Sequence, residues 1–232
     1  GGTDREPGTC GRGLVVVSVG DDRVSTNVSL VGLDGAVLSS SFVSSAGIAQ
    51  LSAKLSGDVA LPTLPITGQK IVLLDQGLSV VDFADVKTAA LTRQLAVGSG
   101  QNPHDYLALD EQRALVSRYD RSPNGEGSDL LMVDAQSGEH LRAIPLNAAM
   151  AGVDAKYLPT PWHLLAAGDD VLVTLDAETK AHTESDESRL VRLDPASGEI
   201  RQVLVLSGLH ECNGVALSPD QSQLALACSG SF

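Results

Sequence analysis

Apolar residues along this chain come in short runs, and small polar residues break the runs at regular intervals. Leu14–Val17, Ile71–Leu74, Ala114–Val116, Leu130–Val133, Val171–Val173 and Leu224–Ala227 are such runs, with Gly, Asp or Ser within two residues of an end of each. Runs of this length with β-branched residues and turn residues at their ends predict strands. Helical spacing shows only at Ser44–Leu55, where Ile48, Leu51 and Leu55 share a helical face, and a loop over a sheet edge fits that stretch equally. The strands sort into five units. The first holds strands at 14–19, 28–33 and 36–42; the second at 60–65, 70–74, 79–83 and 91–97. The third holds 105–109, 114–119, 129–134 and 140–146; the fourth 162–167, 171–175, 189–194 and 200–206. The fifth holds only 214–217 and 223–227. The turns agree: Asp34-Gly35 suits a tight hairpin, and Ser137-Gly138 and Ser197-Gly198 sit at matching positions of the third and fourth units.

The units repeat in sequence as well as in length. Leu130–Glu139 (Leu-Leu-Met-Val-Asp-Ala-Gln-Ser-Gly-Glu) returns as Leu190–Glu199 (Leu-Val-Arg-Leu-Asp-Pro-Ala-Ser-Gly-Glu), so that Asp134 and Asp194 stand 60 residues apart. Phrases around His104, His163 and His210 precede the first strand of three successive units. A fixed period of ~50–60 residues with four short strands per unit predicts an all-β fold, a β-propeller of four-stranded antiparallel blades. The first unit lacks its innermost strand and the fifth stops after two. The expectation is therefore a partial ring, about four and a half blades of a six- to eight-bladed propeller, continued in a longer protein. Residues 1–13, polar and rich in Gly, are expected to be an extended or disordered tail, and 14–232 the blades, incomplete at the C-terminus.

Charge narrows the choice of partner. The net charge is −13 and the pI about 4.6, which argues against nucleic acid or an anionic membrane as partner. No apolar run is long enough to span a membrane. Of three cysteines, Cys212 and Cys228 flank one predicted hairpin and fall close to opposite each other if Leu217 faces Leu224. Cross-strand spacing there permits a disulfide and hence an oxidising compartment, with two buried thiols as the alternative. The pairing of Cys10 stays open. Asn27-Val28-Ser29 is a glycosylation sequon set inside a predicted strand.

Asn102-Pro103-His104 with Leu107-Ala108-Leu109-Asp110, then Val133–Glu139, and above all Gly214–Asp220 (Gly-Val-Ala-Leu-Ser-Pro-Asp), resemble the YVTN-type propeller repeat. The likeness covers roughly residues 100–232 and departs from the pattern at Asp105, which replaces a Gly, and at Leu115–Arg118, which replaces Tyr-Val-Thr-Asn. It implies an exported protein of the periplasm, outer-membrane surface or cell exterior, and leaves room for a lipid anchor elsewhere in a longer gene product. It specifies blades and no chemistry.

Candidate chemistry is sparse. No phosphate-binding glycine loop, dinucleotide fingerprint, nucleophile elbow, zinc-protease helix or Cys-x-x-Cys occurs. His104, His163 and His210, with Asp105 and Glu211, are expected to converge at one mouth of a central channel. There they bind a ligand or a divalent metal, or else cap their blades through hydrogen bonds. The acidic stretches 119–129 and 176–187 read as solvated loops on the same rim. No cofactor is firmly implied. The readings are, in order, a non-enzymatic exported binding or scaffold module for a protein partner, a lactonase-like or metal-dependent hydrolase, and a structural subunit of a cell-envelope or surface assembly.

Overall fold

The protein is described by a computed structural model covering residues 13–46, 54–64, 70–120 and 128–230. The tail expected before residue 13, Cys10 and the centre of the 44–55 stretch lie outside these residues. Among the described residues seventeen strands form five antiparallel sheets. The first is β1 (Gly13–Val19), β2 (Thr26–Gly32) and β3 (Val37–Ser44), in that order. The second is β4 (Val59–Ala60), β5 (Lys70–Asp75), β6 (Val80–Asp85) and β7 (Leu91–Ala96). The third is β8 (Gln101–Ala108), β9 (Arg113–Asp120), β10 (Asp129–Asp134) and β11 (His140–Pro145). The fourth is β12 (Tyr157–Ala167), β13 (Asp170–Thr179), β14 (Ser185–Leu193) and β15 (Ile200–Val205). The fifth is the hairpin β16 (Gly214–Leu217) and β17 (Leu224–Ala227). Among the described residues the only helix is a single 3₁₀ turn, Asn147–Met150.

The apolar runs explain why these sheets stack. In β5 and β10 four consecutive residues, Ile71–Leu74 and Leu130–Val133, are all buried. A strand whose two faces are both covered loses the apolar–polar alternation of a half-exposed sheet. Two compact units result, one holding β1 to β7, the other holding residues 62–64 with β8 to β17. In the first unit Val28, Phe42, Val59, Ile71 and Leu73 pack between sheets. In the second, Leu115, Leu130 and Ile144 of the third sheet pack with Leu164, Leu175 and Leu193 of the fourth.

The repeated Asp-x-x-Ser-Gly element is a turn that the aspartate builds. The backbone of Asp134 receives a hydrogen bond from Gly138 N at 2.9 Å, and its carboxylate accepts from Gln136 N and Ser137 N. Asp194 repeats this with Gly198 N, Ala196 N and Ser197 N. Both glycines hold positive φ, 81° and 78°. The second sheet has the same turn in a form that the repeat search passes over. Asp85 accepts from Lys87 N, Thr88 N and Ala89 N, but the left-handed position is taken by Ala89, at φ 55°. Because that conformation crowds a Cβ, Ala89→Gly is expected to stabilise the protein by about 0.5–1 kcal/mol in urea titration, the strain relief exceeding the entropy lost by glycine. A destabilised Ala89→Gly variant would show that the turn is not strained.

The acidic stretch 176–187 is not a loop throughout. β13 continues to Thr179 and β14 begins at Ser185, so Asp176 and Glu178 are buried on a strand and only a short turn, with His182 at φ 53°, faces outward. Pairing of Ala177 with Asp186 and Glu178 with Ser185 carries the ladder that far. Cys212 and Cys228 are joined by a disulfide. The sequon residue Asn27 lies in β2, where its amide donates to Ser29 Oγ and to the Ser40 carbonyl.

Candidate functional site

Three of the five residues singled out by sequence, His104, Asp105 and His163, lie within β8 and β12, and a shared irregularity places them. Pro103 pairs with Arg118 and Asp105 with Ser117, so β8 carries a bulge at His104 and Asp105. Pro161 pairs with Leu175 and Leu164 with Val173, so β12 carries the same bulge at Trp162 and His163. The structural counterpart of His104 is therefore Trp162, and that of His163 is Asp105. Alignment on the histidines alone is one residue out of step, which is why they do not share one station.

Asp105 is buried, and its carboxylate is a hub. Oδ1 accepts from Tyr106 N at 2.8 Å and Thr63 N at 2.9 Å; Oδ2 accepts from Leu164 N at 2.7 Å. His163 Nδ1 lies 3.6 Å from Oδ2 and 2.5 Å from Thr63 Oγ1. Three chain segments are thus tied to one side chain. The hydroxyls facing the two bulges add to the tie: Ser117 Oγ donates to the Trp162 carbonyl at 2.5 Å, and Thr174 Oγ1 accepts from His163 N at 3.0 Å.

His104 belongs to a row of rings. Its imidazole stacks on Tyr119 at 4.5 Å between centroids and meets the edge of Trp162 at 4.1 Å. Its Nε2 lies 3.0 Å from the Asn102 side-chain nitrogen. Tyr119 lies 5.1 Å from His182, whose Nδ1 reaches Glu178 Oε2 at 2.5 Å. Next along β13, Asp176 has no accessible surface and receives the Ser188 hydroxyl at 2.5 Å. Burial raises its pKa to about 6, helped by the charges of Glu178 and Glu211 and opposed by the Ser188 hydroxyl. His210 and Glu211 therefore lie by Asp176 and the disulfide, not at the Asp105 hub. Glu211 takes positive φ, 51°, and accepts from Ser229 Oγ at 3.0 Å.

Among the described residues no three His, Cys, Asp or Glu side chains are placed to hold a metal ion. The divalent metal considered from sequence finds no ligand set there. Tyr119, Asp176 and His182 read from sequence only as members of the two acidic stretches: Tyr119 meets Trp162 and His182 through sheet-to-sheet stacking, whereas Asp176 meets Ser188 across adjacent strands of the fourth sheet. The Ser117/Thr174 pair, a hydroxyl opposite each bulge, was the one signal in sequence that could have corrected the alignment.

Comparison with solved structures settles the fold. The chain aligns with the β-propeller domain of Myceliophteria thermophila Cps50 (Swd1) at TM-score 0.54 and 16% identity, over 95% of this chain and 63% of that one. These sheets are propeller blades. A putative 6-phosphogluconolactonase from Bacteroides uniformis aligns at TM-score 0.58 and 12% identity, over 95% of this chain and 62% of that one. Kuenenia stuttgartiensis hydrazine synthase aligns at TM-score 0.57 and 15% identity, over 90% and 54%. The chain spans less than two thirds of the length of each. No family model and no curated protein matches it. Identities this low carry the blade architecture and nothing about ligand or reaction.

Proposed function

We propose that the chain is the blade region of an exported, non-enzymatic propeller of the YVTN-repeat kind, serving as a binding or scaffold module for a protein partner. The observation that carries this reading is the engagement of Asp105. A general base or metal ligand needs a lone pair directed at substrate, whereas this carboxylate is filled by three backbone N–H groups and faces His163. The disulfide accords with an oxidising, exported setting, and the acidic surface with a basic or neutral partner.

The test is an assay for the rival activity. Hydrolysis of a six-membered sugar lactone is followed with and without added divalent metal, for the wild type and for His163→Ala and His104→Ala. Rates equal to the buffer blank in every case are expected. Saturable hydrolysis that is lost in His163→Ala, with the variant's circular dichroism unchanged, would overturn the reading in favour of a lactonase-like enzyme.

A further inference from the structure

We propose that Arg189 anchors a carboxylate-binding site in the fourth sheet, the Nε and Nη2 edge of its guanidinium gripping both oxygens of a small monocarboxylate. The repeat marks the position. Asp129 and Arg189 stand 60 residues apart, the offset that also relates Asp134 to Asp194. Asp129 pairs with Arg118 across β10 and β9, and Arg189 pairs with Leu175 across β14 and β13. The third sheet fills this position with an ion pair. Arg118 Nε donates to Asp129 Oδ1 at 2.7 Å, Nη2 donates to Oδ2 at 3.2 Å, and Nη1 donates to the Val97 carbonyl. In the fourth sheet the cation sits on the other strand of the pair, and Leu175 gives it no counter-charge.

Arg189 is nevertheless buried, at 5% exposure. Its Nη1 donates to the Glu187 carbonyl, much as Arg118 Nη1 donates to that of Val97. Among the described residues it makes no ion pair, its Nε is enclosed without a hydrogen-bond partner, and its Nη2 makes no hydrogen bond. Nε–H and one Nη2–H lie side by side on the same edge of a guanidinium, and Arg118 closes that edge on Asp129. In Arg189 neither donor of the edge is used. The acids next to it along the chain are engaged elsewhere: Asp186 Oδ1 accepts from Glu187 N and Glu187 Oε1 from Gly208 N, each at 2.8 Å.

A buried cation with neither counter-charge nor filled donors is a costly arrangement. A carboxylate relieves both faults at once, because its two oxygens match the spacing of the fork and its charge balances the guanidinium. Register places Arg189 on the face that carries Leu175 and Val191, both without accessible surface and both in the core shared with the third sheet. Walls of this kind favour an alkyl monocarboxylate over phosphate or a dicarboxylate, each of which would bring further charge into apolar surroundings. The slight exposure of Arg189 restricts the ligand to a slim one, such as acetate or propionate.

Nuclear magnetic resonance of the arginine side-chain Nε–H groups tests the site, with the Arg189 signal assigned by its loss in Arg189→Lys. Sodium acetate at neutral pH is expected to move that signal saturably, half-way at a concentration on the order of 1 mM, while sodium chloride at equal ionic strength leaves it in place. The Arg118 signal, whose donors are taken by Asp129, should respond to neither salt. In urea titration acetate should raise the midpoint of the wild type and not that of Arg189→Met. Without acetate that variant should unfold at a higher urea concentration than the wild type, because the uncompensated charge is gone. No acetate shift beyond the chloride control would overturn the proposal. So would an Arg189 signal that Asp186→Asn moves in acetate-free buffer, which makes Asp186 the partner, or a larger response to inorganic phosphate than to acetate, which removes the carboxylate preference.

Discussion

Acidification from about pH 8 to about pH 5 is expected to stabilise the protein, by several kcal/mol in total. Three buried carboxyls cause this: Asp75, raised by burial, and most of all Asp82 and Asp176. Asp82, in β6, is pushed up to about 7 by burial, with Asp75 adding to the rise and the Gln94 side chain opposing it. Asp176 is raised to about 6, burial again being the first cause. A carboxyl whose folded pKa lies above its unfolded value binds its proton more tightly in the folded state. The stability it withholds is nil below about pH 4, grows between the two pKa values and is complete above the folded one. For Asp82 the gap corresponds to about 4 kcal/mol and for Asp176 to about 3 kcal/mol. Asp110, Asp194 and Asp220 are shifted the other way by hydrogen bonds, so their contribution is present above the usual carboxylate range and lost below it. Asp110 and Asp220 are exposed and Asp194 lies at the surface in a turn, so they add little, and the stability maximum should fall near pH 4–5. Urea midpoints measured across this range check the slope. Asp82→Asn should flatten it most and Asp176→Asn next, each in the unit that holds the residue. A midpoint that climbs with pH would contradict the assignment.

The second large effect is expected at Asp105. Asn offers one acceptor oxygen where the carboxylate offers two, and turns an amide donor toward backbone N–H groups. Asp105→Asn should cost about 3 kcal/mol, and Asp105→Ala about 4–5 kcal/mol, since each buried N–H loses a charge-assisted partner. His163→Ala should cost under about 1 kcal/mol, because its ring is 28% exposed and its contact with the carboxylate is the longest of the four. Equilibrium unfolding of the three variants ranks them; an Asp105→Asn midpoint equal to the wild type's would remove the hub from any account of stability.

Much of the fold was legible because it is local. Apolar runs such as Leu130–Val133 and the Asp-x-x-Ser-Gly turn carry their structure in adjacent residues, and the strands fall within a few positions of where those runs place them. The starts of β8 and β12 were less legible. Pro103, Pro159 and Pro161 read as breaks, yet the strands run through them to Gln101 and Tyr157, with a bulge taking up the misfit. The candidate site was the least legible. His104, Asp105, His163, His210 and Glu211 were found as residue types, but their grouping depends on a one-residue bulge and on which sheet stacks against which. Ala89 shows the limit from the other side: its turn is built like those at Asp134 and Asp194, and one missing glycine hides it.

The ties that join neighbouring sheets share a property with evolutionary weight. Asp105 reaches the amides of Thr63 and Leu164, Ser117 the carbonyl of Trp162, and Arg142 the carbonyls of Pro195, Ala196 and Ser197. In each case a side chain of the third sheet grips main chain, which every residue type supplies. The receiving segment is thereby free to drift where its side chain is exposed: almost any substitution at Ala196 leaves the grip intact, provided the backbone path is kept. Tandem copies joined in this way can diverge until little common vocabulary is left, and still dock.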